Sequence, residues 1–368
     1  MHIYAIVTLV FILLFVVEQN TEEKTTRRIL FFSCAVLLTS LYAFRSENIG
    51  TDTSHYCRYF RGEFSIYGSI LSINDDIEYG FQLLMRVLHI VSGSSFWLIF
   101  STSILSFFPF LYLINRDCHS SKILPLILFM TIWTIIMIHQ AALRQVLSVS
   151  FMMVAYIIFT SPIEQKIKFI VSLFLLFGAY FTHKSSIFVF ILGGVGYFIP
   201  WTKKSAIIGI LTSLAVAIVY KDVFADIFSF LNVYMAEFDA TRRMFDLYYE
   251  NEQYSLYGET TFNALAPVSL FMCLMVSMAD ESDTHGFYFK MLVIGAILSN
   301  IGASFPLILR TVYGITIFAI IFVPSNLGKN TNYYNLMLLF LLFFLRNEIV
   351  FWKPNPGSHF LPYSFIWE

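Results

Sequence analysis

The chain has 368 residues, 58% of them hydrophobic and 18% aromatic, with 41 Phe and a mean hydropathy of +0.72. Only 13% of its residues are charged and the formal net charge is −1, so neither a soluble domain of this length nor a nucleic-acid binder fits the composition. The apolar residues come in continuous runs rather than ~10-residue alternating segments, which excludes a transmembrane β-barrel. The fold class is therefore all-α: a polytopic integral membrane protein with about 12 transmembrane helices.

In chain order, Met1-His2-Ile3 lacks the cationic start and cleavage site of a signal peptide, so 3–17 reads as a retained first span. Further spans are expected near 29–44, 96–115, 123–138, 143–160, 167–182, 185–199, 205–220, 263–279, 288–304, 308–324 and 333–350. With no internal repeat or low-complexity tract, 1–368 reads as a single transmembrane helical domain. Two polar segments, about 45–95 and 221–262, fall on one side of the membrane under this count. Short loops carrying Lys24, Arg27, Arg28, Arg116, Lys122, Lys166, Lys168, Lys203, Lys204, Lys290 and Lys329 mark the opposite face as cytoplasmic. Both termini and both polar segments then face outward, together with an unusual share of the arginines.

The run Arg45-Ser46-Glu47-Asn48-Ile49-Gly50-Thr51-Asp52-Thr53-Ser54-His55-Tyr56 breaks out of the second apolar stretch and concentrates charge, hydroxyls and a glycine at a membrane edge. It is either a solvated loop or the edge of a working site. Farther along, 80–93 is short for a span, and Gln82, Arg86 and His89 form one stripe on a helix. That stretch reads either as an interfacial helix lying flat or as a re-entrant helix aiming Arg86 and His89 at a substrate. If 81–93 crosses the membrane instead, every later loop changes side.

Arg144-Gln145 opens an apolar run, and an arginine at membrane depth costs roughly 2.5–3.5 kcal/mol on insertion scales. Such residues snorkel to the interface or face a polar cavity or counter-charge. Arg310, between Leu307-Ile308-Leu309 and Thr311-Val312-Tyr313, poses the same question. His183-Lys184-Ser185-Ser186 is a polar knot in a very short outer connection, and His139 is a weaker candidate at a similar level. The segment 221–262 mixes carboxylates with Tyr and Phe, which suits sugar stacking and equally a helical lid without a ligand. The cysteines and histidines have neither a disulfide framework nor metal-ligand spacing, so no metal and no cofactor are expected. Walker A, Gly-x-Ser-x-Gly and His-Glu-x-x-His patterns are absent. No pair of broken spans recurs in matching halves, which speaks against an inverted-repeat transporter.

Several of these features occur together in one known family. An arginine after the second span, Gly50-Thr51-Asp52-Thr53 with Tyr56 and Phe60, and Glu78-Tyr79-Gly80-Phe81 are among them. So are Arg144-Gln145, Phe181-Thr182-His183-Lys184-Ser185-Ser186 and the terminal Leu361-Pro362-Tyr363. In this order they resemble the EpsG-type family of bacterial polysaccharide polymerases, which are Wzy-like O-antigen and capsule polymerases. The segment 221–262 contributes nothing to the likeness.

The resemblance implies a multi-pass glycosyltransferase of the bacterial inner membrane with its active site at the periplasmic face. It would join oligosaccharide repeat units carried on undecaprenyl pyrophosphate. Its expected partners are those lipid-linked oligosaccharides, the membrane lipid, a chain-length regulator and other polysaccharide assembly proteins, with no nucleic acid. Such chemistry needs a base for the acceptor hydroxyl and fixed cations for the departing pyrophosphate, for which arginine is suited. Arg45, Arg144 and Arg310 are the expected pyrophosphate ligands, with Arg86 and Lys184 as secondary ones. Asp52 is the first expected base, followed by Glu78 and His183. Gly50 would turn the backbone so that Asp52 points inward, with Thr51, Tyr56, Gln145 and Tyr313 in support. The competing readings are an O-antigen ligase, a glycosyltransferase using polyprenyl-phosphate sugars, a flippase for the same lipid-linked units, and a membrane acyltransferase.

Overall fold

The structure, a computed structural model, describes residues 3–63, 77–219, 257–302, 306–325, 327 and 363–367. It is helical, with no strand among the described residues. The helices are α1 (Ile3–Asn20), α2 (Lys24–Ala43), α3 (Thr53–Phe60), α4 (Tyr79–Val91), α5 (Ser95–Asp117), α6 (Leu124–Thr131) and α7 (Trp133–Ala141). They continue with α8 (Leu143–Phe159), α9 (Gln165–Thr182), α10 (Ser186–Phe198), α11 (Lys203–Val219), α12 (Tyr257–Met278), α13 (Phe287–Ile301) and α14 (Pro306–Ala319).

Four of these, α1, α2, α5 and α9, are long and apolar enough to cross a membrane, and the α6–α7 pair makes a fifth if counted as one span. The expected count of about 12 is not confirmed. Apolar runs locate helices well, but α4, α8, α10 and α13 hold 13 to 17 residues. At 1.5 Å per residue these rise roughly 20–26 Å, short of a ~30 Å hydrocarbon layer. The expected span at 333–350 lies outside the described residues. So does most of the 221–262 segment, of which only the start of α12 is seen.

The expected single span at 123–138 is two helices bent by 78°. The chain breaks at Ile132, which is extended at φ −85° and ψ 100°. Just before it, the Thr131 hydroxyl donates back to the Ile127 carbonyl at 2.9 Å, a bond that loosens the helical ladder. A second break at Ala142 separates α7 from α8.

The chain divides into two compact units, 1–190 with 327–368, and 191–326. In the first, α1 buries a stripe at Tyr4, Val7, Phe11, Phe15 and Glu18, the three-to-four spacing of one helix face. Helices α8 and α9 form an antiparallel hairpin, and α9 turns Phe169, Phe174, Phe177 and Phe181 outward. A continuous aromatic face of this kind suits lipid rather than water. In the second unit the Asn300 side chain ties α11, α12 and α13 together. It donates to the Ser213 hydroxyl (3.0 Å) and the Ile210 carbonyl (3.2 Å) and accepts from the Ser269 hydroxyl (2.7 Å). Buried polar links of this sort lock apolar helices that hydrophobicity alone cannot orient.

Arg45 is the largest fully buried side chain of the first unit, at 1% exposure. Its Nη1 donates to the Tyr42 carbonyl (2.5 Å) and the Ser103 hydroxyl (3.3 Å), and its Nη2 to the Gln140 carbonyl (3.0 Å). Tyr42 and Gln140 lie in the last turns of α2 and α7, where carbonyls have no intrahelical donor and the helix dipole favours a cation. The Thr53 hydroxyl shares the Gln140 carbonyl at 2.6 Å. Gly50 abuts the same oxygen at φ +98°, where a Cβ would stand 2.6 Å from it, so only glycine fits this turn. From the far end of the chain, residues 364–366 pair with Phe44–Ser46. Ser46 N–H donates to Ser364 O and Ile366 N–H to Phe44 O, both at 2.9 Å. The Tyr363 hydroxyl closes the junction on Leu41 O at 2.5 Å.

Arg45→Ala takes the Arg45 donor from the Tyr42 carbonyl in an apolar interior and leaves the Gln140 carbonyl with Thr53 alone. It is expected to cost roughly 2–5 kcal/mol, read as a lower unfolding midpoint and reduced monodisperse protein in detergent. Arg45→Lys, which keeps the charge but loses the fork, is expected to fall between the two.

Candidate functional site

Three elements bring the candidate residues together, and a glycine contact sets their spacing. Gly80, in the first turn of α4, lies against the end of α9. A Cβ there would be 2.8 Å from the Phe181 carbonyl oxygen and 2.9 Å from its carbon. Backbone therefore meets backbone, and this approach sets Glu78, the N-cap residue of α4, beside His183, the C-cap residue of α9.

The Glu78 carboxylate does not cap its own helix. Its Oε2 accepts from Arg144 Nη1, while Oε1 accepts from His183 Nδ1 at 3.1 Å and from the Lys184 N–H at 3.3 Å. Arg144, in the first turn of α8, also donates from Nε to the Tyr56 hydroxyl (3.0 Å) and lies 5.3 Å over the Tyr56 ring. The guanidinium is thus held both along its edge and on its face. The side chains remain partly open, at 12% exposure for Glu78, 18% for Arg144 and 23% for His183. Beneath them lies an apolar floor of Tyr56, Phe60, Phe81, Met85, Leu98, Leu143 and Leu147.

Burial alone would raise the Glu78 carboxyl. The His183 hydrogen bond and the Arg144 charge outweigh it and bring the group from its ordinary 4.5 down to about 2. Glu78 is therefore a fixed anion at neutral pH.

Arg45 lies apart from this cluster, enclosed in the helix-end junction with its terminal nitrogens on backbone carbonyls. The expectation that it grips pyrophosphate gives way to an architectural position. Gly50 makes the tight turn expected of it, and Thr51 is exposed on that turn. Asp52, half-buried, is the N-cap residue of α3, and its carbonyl accepts from the N–H of Tyr56 one turn on. Arg86 is two turns along α4 from Glu78, its Nη2 3.4 Å from Gln82 Oε1. At 13 residues α4 rises about 20 Å, less than a ~30 Å hydrocarbon layer. Lys184 is exposed and reaches Glu78 through its backbone alone among the bonds described here. Gln145 is buried at 4% beside Arg144 in α8. Arg310 and Tyr313 belong to α14 in the second unit, where Tyr313 is buried at 3% and the Arg310 side chain lies outside the described residues. His139 is enclosed by the rings of Tyr42, Phe107 and Phe129, bonded to the Ser106 hydroxyl at 3.1 Å, and belongs to the core.

Sequence reasoning did not anticipate two participants. The Gln140 carbonyl is a backbone group, invisible to any side-chain pattern. Gly80 stands in Glu78-Tyr79-Gly80-Phe81, and a glycine in the first turn of a helix is the one available signal of close backbone approach.

The chain matches the family model described as the EpsG family over residues 28–365, most of its length. No curated protein and no solved structure matches it.

Gly80→Ala should lower the unfolding midpoint and separate Glu78 from His183, at a cost of roughly 1–3 kcal/mol, because a backbone carbonyl cannot yield. Gly93→Ala is the matched control: its nearest neighbour, His89 Cε1, is at an ordinary 3.6 Å, and no change is expected. The depressed Glu78 carboxyl also predicts a pH signature. Its stabilisation, on the order of 3 kcal/mol, is complete above about pH 4.5 and is lost as pH falls toward about 2. Unfolding midpoints of the native protein and Glu78→Gln should therefore converge across that window and stay parted above it.

Proposed function

The chain belongs to the EpsG family, and from that premise we propose that it is a polysaccharide polymerase of the bacterial inner membrane. It transfers a growing chain from undecaprenyl pyrophosphate to the non-reducing end of the next lipid-linked repeat unit. The new bond joins the anomeric carbon to the acceptor oxygen. The bond between that carbon and the pyrophosphate oxygen breaks, and undecaprenyl pyrophosphate departs with the electron pair.

The observation that carries this reading is the arginine held by carboxylate and phenol at the start of α8. Departure of a lipid pyrophosphate accumulates negative charge, and a cation fixed in advance stabilises it without reorganising. Arg144 is oriented from two sides and is only partly exposed, which is the preorganisation such a step requires. Arg144 is accordingly the principal pyrophosphate ligand, with Lys184 and Arg86 of the same unit as secondary ones. Arg45 contributes to the architecture, and Asp52, Glu78 and His183 supply the groups on the acceptor side. The site faces the periplasm, the side that carries 45–95 in the orientation set by the short basic loops.

Arg144→Ala is expected to abolish long-chain polysaccharide, by at least about 100-fold, while single-repeat glycan still accumulates. The glycan banding pattern of a deletion strain complemented with native or variant protein checks this. A normal ladder with Arg144→Ala removes the residue from the site. In a strain that makes lipopolysaccharide, bare core after deletion, in place of core bearing one repeat, moves the protein to the ligase reading.

A further inference from the structure

We infer that the acceptor's base is His183, acting through Nε2, and that Glu78 is the positioning residue that holds its Nδ1–H. This rests on the polymerase reading and narrows three candidate groups to one base with a defined tautomer. The geometry supplies the argument. Glu78 presents one oxygen to Arg144 and the other to His183 Nδ1 at 3.1 Å. An ionised carboxylate only accepts hydrogen bonds, so Nδ1 must be the donor, and in the neutral ring the lone pair then lies on Nε2.

Among the bonds described here, the groups on this carboxylate and its arginine are Arg144 from α8, His183 and the Lys184 N–H at the end of α9, and Tyr56 from α3. Glu78 itself is a poor proton acceptor, since its carboxyl is held near 2. In the transfer, the acceptor hydroxyl's proton passes to Nε2 as its oxygen bonds the anomeric carbon. The pyrophosphate oxygen leaves with the bonding pair, and the imidazolium, stabilised by Glu78, later gives its proton to water.

The carboxylate also serves donors at both oxygens, Arg144 at Oε2 and His183 with the Lys184 N–H at Oε1, and this makes the inference sharply testable. In Glu78→Gln a single carbonyl oxygen remains. The charged Arg144 makes the stronger bond, so it claims that oxygen over the longer Lys184 N–H contact and turns the amide NH2 toward His183. Nδ1 must then accept, the ring proton moves to Nε2, and the base is blocked.

The test uses the full-length protein with 15N-labelled histidine in nanodiscs, supplied with a lipid-linked repeat unit. Nitrogen shifts report the tautomer of neutral His183 across a pH series, and turnover is followed as ladder formation. The native protein should carry its proton on Nδ1 and Glu78→Gln on Nε2. The variant's kcat should fall about 100-fold, with KM for the lipid-linked donor within about threefold, because Arg144 keeps its oxygen partner. A native ring protonated on Nε2, or a Glu78→Gln protein with native kcat, overturns the inference. In either case a native ladder shows that the polymerase reading stands. Absence of any ladder from the native protein overturns both. Should Glu78→Gln not fold, His183→Gly with added imidazole decides: restored turnover supports His183 as base, and none overturns it.

Discussion

A guanidinium sealed inside an apolar bundle has to be satisfied by its neighbours, and Arg45 is in that position. Its donors end α2 and α7, and the break at Ala142 that frees the Gln140 carbonyl also starts α8 with Arg144 in its first turn. The same carbonyl receives Thr53 and presses on Gly50, so the loop into α3 has one path. Tyr56, one turn farther along α3, then lies where Arg144 can reach it. Burial pulls the Arg45 pKa below its ordinary value, yet arginine stays charged, so its carbonyl partners cannot be dispensed with. The C-terminal residues 363–366, which pair with 44–46, are part of the same enclosure.

The second constraint is a contact between backbones. Without a Cβ at Gly80, the positive end of α4 can approach the negative end of α9, a favourable pairing of helix termini. A carboxylate at an N-cap ordinarily satisfies its own helix. Glu78 instead reaches away from α4, and its two oxygens join residues far apart in sequence. A chain with so few charges keeps one carboxylate in contact with both an arginine and a histidine, and each contact fixes the orientation of the other.

Much of this was legible in the residues. Apolar runs locate most of the described helices to within a few positions, because burial away from water demands them. What failed was the step from helix to span, since hydropathy sees that a run is apolar but not that it bends at Ile132 or ends after 13 residues. At the site, Glu78, Arg144, His183 and Tyr56 were all singled out, and they meet. Their grouping was not legible, because α3, α4, α8 and α9 are joined through contacts between residues up to 105 positions apart. Arg45 stands in the polar run that ends the second apolar stretch, but its partners here are the backbone carbonyls of Tyr42 and Gln140, which no side-chain pattern shows.

Arg45 and Arg144 look alike in the sequence, and what separates them is the kind of group that answers each. Arg45 is met by uncharged oxygens that come with the fold, so its charge serves to close helix ends and remains enclosed. Arg144 is met by a titratable anion, a phenol and partial exposure, so an incoming phosphate oxygen competes with one oxygen of similar chemistry and need not dismantle a helix end. The enclosed positive charge of Arg45 is nevertheless not neutral to the site. In a medium of low dielectric, charges act over longer distances than in water, and Thr53, bonded to the same carbonyl as Arg45, lies one turn of α3 from Tyr56. On the reading proposed above, Arg144 meets the pyrophosphate, and Arg45 serves it by closing the helix ends from which α8 and the loop into α3 set out.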